Sequence, residues 1–298
     1  MTYLESKAPP IALGQTKSVL PGLIALLRLG QWPKNLLVVP LALLGTAWNP
    51  AAFGRIGLAV AAFTVASSLV YVLNDIADRK RDRLHPVKRH RALASGQVGV
   101  PAAVLLAVLL VVPLIALVTA LTPRHAWPVL VYLVLNAAYS WKLKHLPLLD
   151  VFCVATGFVL RLLGGYEATG YPVAGWLVLC VLALCLLLIL GKRRHEMSHG
   201  GARHRPALSG YSTSFLDHVL VLCSVLTVVT YLLFVRTETW LGPAALLTAP
   251  CAMLALFRYL QIVIVQSQGG NPVHILLRDP VMIANSSVWG GLLLLSHF

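Results

Sequence analysis

L-N-D-I-A-D-R-K-R-D-R-L-H-P-V-K-R-H-R-A-L-A, residues Leu73 to Ala94, is a densely charged stretch in a chain that is otherwise strongly apolar. It holds three of the 10 acidic residues and seven of the 24 lysines and arginines. Apolar segments long enough to cross a bilayer lie on both sides of it. Asp75, Asp78 and Asp82 stand at i, i+3 and i+7, so on a helix they form one stripe. Arg79, Lys80, Arg81 and Arg83 flank them. Carboxylates in a basic field suit a hard cation that carries a polyphosphate. The plainer reading is a solvated loop whose charges only orient a membrane protein.

The whole chain narrows the choice. It has 298 residues, 58% of them hydrophobic and 11% charged, against roughly 25% charged in a soluble domain. Apolar runs of spanning length recur, so the expected class is all-α, a polytopic helical membrane protein. The net charge of +14 then reads as positive loops on one side of the membrane, and nucleic acid is not needed as a partner. Cys153, Cys180, Cys185, Cys223 and Cys251 lie in apolar segments, are odd in number and lack C-x-x-C spacing, which points to neither disulfides nor zinc. Residues 1–19 are polar, and the first apolar run is interrupted by Arg28, Pro33 and Lys34, so no cleavable signal peptide is expected.

Residues 1–19 read as a flexible cytoplasmic tail and residues 20–298 as a single transmembrane domain. Residues 20–31 suit a segment lying along the membrane surface. Nine spans are predicted, near 32–48, 55–74, 99–121, 127–141, 148–165, 173–191, 215–235, 240–262 and after L-L-R-D-P at Leu276–Pro280. With Leu73–Ala94 in the cytoplasm, only Arg55, Arg124 and Arg236 of the 24 basic residues fall on the opposite side, and Arg161 falls inside a span. That asymmetry predicts a cytoplasmic polar cap.

Asp150 and Arg161 share the fifth span. They are about 16 Å apart along a helix axis and on one face, too far to pair, so Arg161 needs another polar or anionic partner. Gly157 and Gly164 near the same stripe permit close helix approach. The 192–206 loop is dense in Lys, Arg and His but poor in carboxylates. It suits phosphate binding by Lys192, Arg193 and Arg194, or topology alone, better than a metal.

N-D-I-A-D-R-K-R-D at Asn74–Asp82 resembles the N-D-x-x-D-x-x-x-D signature of the UbiA superfamily of intramembrane prenyltransferases. The resemblance covers nearly the whole chain and implies a nine-helix bundle with a cytoplasmic polar cap. Further stretches resemble one branch, the decaprenyl-phosphate phosphoribosyltransferases: R-L-G-Q-W-P-K-N at Arg28–Asn35, H-P-V-K-R-H-R at His85–Arg91, Y-S-W-K-L-K at Tyr139–Lys144, the Leu148–Arg161 segment, G-K-R-R-H-E at Gly191–Glu196 and Leu276–Pro280. One departure from the wider superfamily agrees with that branch. Where other members carry a second aspartate-rich motif, this chain reads K-R-R-H-E, better suited to binding phosphate than to clamping a second metal.

The resemblance implies transfer of phosphoribose from phosphoribosyl diphosphate to a polyprenyl phosphate at the plasma membrane. It makes Asp75, Asp78 and Asp82 the ligands of Mg2+, with Asn74 assisting. Lys34, Asn35, Lys88, Arg89, Arg91, Tyr139, Lys142, Asp150, Arg161, Lys192, Arg193 and Glu196 become the substrate-binding candidates. Arg161 is left either to anchor the acceptor phosphate or to brace Asp150. A homo-oligomer is compatible with this reading. The alternatives are prenyl transfer to an aromatic acceptor, a transporter, and a non-catalytic lipid-binding scaffold.

Overall fold

The computed structural model describes residues 19–40, 50–198, 206–238 and 242–297, and every regular element among them is helical. Most of the predicted tail, residues 41–49 of the first predicted span and residues 199–205 of the basic loop lie outside the described residues. The helices are α1 (Val19–Leu27), α2 (Pro50–Arg83), α3 (Val100–Ala120), α4 (Pro123–Trp141), α5 (Leu149–Thr169), α6 (Gly175–Ser198), α7 (Thr213–Thr237), α8 (Ala249–Leu260), α9 (Pro272–Arg278) and α10 (Pro280–His297). Among the described residues six segments are long and apolar enough to cross a membrane: α2, α3, α5, α6, α7 and Ala245–Val265 around α8. The apolar stretch of α10, Pro280–Leu295, is shorter.

The beginning of the chain differs from expectation. Residues 20–31 are not one surface segment, because α1 ends at Leu27 and a 3-10 segment, Leu29–Val38, follows. Pro33 lies inside that segment, and its missing N–H and ring disfavour an α-helix there. Arg28 makes the turn between the two with φ 51° and ψ 54°, a left-handed conformation that a non-glycine residue adopts only under constraint.

α2 explains how charge and span are joined. Its 34 residues make a rod of about 50 Å, against a hydrocarbon layer of about 30 Å. The end from Asn74 to Arg83 therefore has room to stand clear of the apolar layer as unbroken helix. α2 packs on α3, α4 and α5; α5 packs in turn on α4 and α6, and α6 on α7. One core cluster, around Phe63 and Leu93, gathers α1 to α4; a second, around Leu187 and Leu220, gathers α6 to α9. α5 lies between these halves.

Two glycines let α5 take this place. A Cβ on Gly164 would lie 2.4 Å from the Phe63 ring, and one on Gly165 would lie 1.5 Å from the Val38 carbonyl oxygen. At Gly157 the nearest neighbour would be at an ordinary 3.5 Å, so the close approach expected there belongs to Gly165 instead. Gly165→Ala is expected to lose at least about 1–3 kcal/mol of stability, read as a lower unfolding temperature in detergent. Gly57→Ala, with nothing within 4 Å, should leave that temperature unchanged or raise it.

Candidate active site

A cavity of about 300 Å3 opens beside the charged end of α2. The α2 face lines it with Tyr71, Asn74, Asp75, Asp78 and Asp82, and α4 with Tyr132, Asn136 and Tyr139. Seven permanent cations line it as well: Arg28, Lys34, Arg81, Lys88, Arg91, Lys144 and Arg161. Cations thus exceed carboxylates by seven to three, a field suited to a ligand carrying several negative charges.

The predicted aspartate stripe forms, and each carboxylate is held by a cation from another part of the chain. Arg28 Nη2 lies 2.5 Å from Asp75 Oδ1 and its guanidinium covers the Tyr71 ring. Arg91 Nη1 sits between Asp75 Oδ1 at 3.2 Å and Asp82 Oδ2 at 2.7 Å. Lys144 Nζ donates to Asp78 Oδ1 at 2.7 Å. Asn74 accepts a hydrogen bond from the Ser140 hydroxyl, which fixes α2 to α4 beside the stripe. Burial and the charge of Arg91 lower the Lys88 ammonium from its ordinary value, with Asp82, Asp78 and Glu196 pulling partly back.

These oxygens fit a magnesium ion. The donors are hard, and magnesium uses one or two carboxylates with waters and substrate phosphates rather than a full protein cage. Among the described residues no ready group of three ligands converges. One Arg91 nitrogen nonetheless lies within hydrogen-bond distance of both Asp75 and Asp82, so two carboxylates can flank a single cation.

Other predicted residues stand elsewhere. Asp150, fully buried, accepts from Arg193 Nε at 2.9 Å and from the Tyr211 hydroxyl at 3.0 Å. Arg193 also donates to Glu196 at 3.1 Å and lies within hydrogen-bonding reach of Tyr139. Asp150 and Arg193 therefore form a buried pair behind Tyr139, with Glu196 partly exposed beside them, and none of the three lines the cavity. Burial pushes the Tyr211 phenol up to about 12, which keeps it a donor to Asp150. Its oxygen accepts from Leu148 N at 2.6 Å, steadying a residue with φ 64° at the start of α5. Arg194 is likewise committed, to Asp217 at 2.5 Å and to the carbonyls of Val263 and Ile264. Those carbonyls belong to a π-helical turn, Gln261–Val265, that extends α8. Lys192, Lys142 and Arg89 are exposed, and none of the three lines the cavity.

Arg161 does not reach Asp150. Its Nε donates to Asn35 Oδ1 at 2.8 Å, Nη1 to the Gly157 carbonyl at 2.8 Å and Nη2 to the Tyr132 hydroxyl at 3.0 Å. Asn35 itself is buried outside the cavity wall and is tied to Thr64 and Ser67 of α2.

A model of the UbiA prenyltransferase family matches residues 35–271. The chain belongs to that family. It is 32% identical to the decaprenyl-phosphate phosphoribosyltransferase of Mycolicibacterium smegmatis, with 97% of this chain and 96% of that one covered. It is 31% identical to the enzyme of the same name from Corynebacterium glutamicum, covering 92% and 86%. A UbiA homolog from Archaeoglobus fulgidus, bound to DMAPP and Mg2+, has the same fold with a TM-score of 0.71, at 19% identity and covering 93% of this chain and 99% of that one.

Several cavity residues escaped the sequence reading. Tyr132 stands seven residues before Tyr139, so helical periodicity puts both on one face of α4; that signal was available. Arg28 and Lys144 stood within quoted motifs, but nothing local in those motifs shows that a left-handed turn aims one of them at α2, or that Lys144 reaches Asp78 while Lys142 faces solvent.

Lys34, on the 3-10 segment, lines the cavity with an accessible side chain. Asp150→Leu leaves Arg193 buried beside an apolar side chain and should cost about 3–5 kcal/mol of stability, measured by thermal unfolding.

Proposed function

We propose that this protein transfers 5-phosphoribose from phosphoribosyl diphosphate to a polyprenyl phosphate, with decaprenyl phosphate as the expected acceptor, and releases diphosphate. The observation that carries the reading is the excess of fixed positive charge in a cavity with one carboxylate stripe. A prenyl diphosphate with a neutral acceptor would leave much of that charge unmatched. The donor here brings a diphosphate and a 5-phosphate, and the acceptor brings another phosphate. Near full-length similarity to the named phosphoribosyltransferases supports the same substrates.

In this reading Asp75, Asp78 and Asp82 hold magnesium, with Asn74 assisting, and the bound ion supplies neutralisation of the leaving diphosphate. Arg28, Arg91 and Lys144 stand beside those carboxylates and can turn to phosphate oxygens. Lys88 and Arg91 face the donor's 5-phosphate. Tyr139, braced by Arg193 and Asp150, bounds the same space. The C1–O bond to diphosphate loosens toward an oxocarbenium-like state as a lipid phosphate oxygen bonds to C1 from the opposite face, inverting the anomer. No strong general base is required, because a phosphate monoester with a second pKa of about 6 is largely dianionic at pH 7.

The same reading adds α4, α10 and residues 32–48 to the six long helices as further crossings, nine in all. It sets the charged cap on the cytoplasmic side of the plasma membrane, as the one-sided distribution of Lys and Arg supports. The lipid product would feed decaprenyl-phosphoryl-arabinose and the arabinan of the cell wall.

Purified protein with magnesium, phosphoribosyl diphosphate and decaprenyl phosphate should yield decaprenyl-phosphoryl-phosphoribose and diphosphate. Consumption of an isoprenyl diphosphate with an aromatic acid, and neglect of phosphoribosyl diphosphate, would sink the reading. Asp78→Asn should lower turnover by about 100-fold or more with the unfolding temperature little changed.

A further inference from the structure

The cations of the cavity fall into two groups. Arg28, Arg91 and Lys144 are each within ion-pair distance of an α2 carboxylate. Lys34, Arg81, Lys88 and Arg161 line the cavity without a carboxylate at that distance among the described residues, and of these four only Arg161 is buried. Arg161 is 5% exposed, so its charge is stripped of most of its water. Among the described residues, the three hydrogen bonds of Arg161 go to neutral oxygens, those of Asn35, Gly157 and Tyr132. A guanidinium has five N–H groups, so two remain for a ligand.

A buried cation without a counter-charge is costly, and aromatic faces offset only part of it. The Tyr132 and Phe158 rings lie 4.6 and 5.4 Å from the guanidinium carbon. Lys34 lines the same cavity as Arg161. Arg161 lies three helical turns below the start of α5, about 16 Å from Asp150 along the axis, and so well beneath the carboxylate rim. Planar guanidinium and mobile ammonium together suit a phosphate bearing two negative charges.

We propose that Arg161 and Lys34 form a second anion subsite at the floor of the cavity, separate from the carboxylate rim, that takes a phosphate monoester. This assignment rests on the phosphoribosyl-transfer reading and divides its cavity in two. Two phosphates of that chemistry are present in the reaction, the acceptor's and the donor's 5-phosphate. With the rim given to the donor, the acceptor's phosphate is the expected occupant.

The test uses the full chain in detergent. Without magnesium or donor, a short-chain polyprenyl phosphate should raise the unfolding temperature where the matching polyprenol does not, and Arg161→Gln should abolish that difference. In turnover, Arg161→Gln should raise the KM for polyprenyl phosphate about tenfold to a hundredfold, leave the KM for phosphoribosyl diphosphate unchanged, and be partly rescued in Arg161→Lys. A rise confined to the donor's KM supports the subsite and assigns it to the 5-phosphate. Unchanged KM values for both substrates, with equal stabilisation by polyprenyl phosphate and polyprenol, overturn it and leave Arg161 a structural cation. Wild-type protein that ignores phosphoribosyl diphosphate yet keeps the phosphate-specific stabilisation would refute the proposed reaction and not the subsite.

Discussion

Three carboxylates on one face of α2 draw cations from three other parts of the chain: Arg28 from the turn after α1, Arg91 from the loop after α2, and Lys144 from the turn after α4. Attraction between these charges brings otherwise separate connections together around one helix end. All three cations remain partly accessible although Asp75 and Asp82 are buried, so an incoming anion can reach the cations from the cavity while the carboxylates stay fixed in the helix face.

The pair behind them has the opposite character. Arg193 and Asp150 are buried and tied to Tyr211, Glu196 and the start of α5. Arg194 is held by Asp217 and by the carbonyls of the π-helical turn after α8. Consecutive arginines in one motif thus serve different joints, Arg193 tying α6 to α5 and Arg194 tying α6 to α7 and the turn after α8. The chain combines exchangeable charges at the cavity with fixed charges behind it.

That difference explains which parts could be read in advance. Hydropathy and loop charge are properties of single segments, so the helical membrane class and the Asp75–Asp78–Asp82 stripe were legible from spacing alone. The partners of Arg161 were not, because Asn35 and Tyr132 come from segments 126 and 29 residues away. The commitment of Arg193 to Asp150 spans 43 residues, and a basic run looks the same whether its guanidinium groups face a ligand or a buried carboxylate. The 3-10 form of Leu29–Val38 was masked by its apolar content, Pro33 being the one local signal against an α-helix there.

α2 also acts as a ruler. It carries Phe63 against Gly164 and Asp75 against Arg28 on one continuous helix, so depth in the bilayer and the bearing of the carboxylates are set by a single count of residues. Adding one residue between Phe63 and Asp75 would lift the stripe by about 1.5 Å and turn it by about 100°. Packing below the insertion would keep its register while every carboxylate above it turned away from its cation. The length of this segment is therefore constrained as tightly as the identity of any residue in it, and variation in this protein should tolerate exchanges there far better than insertions or deletions.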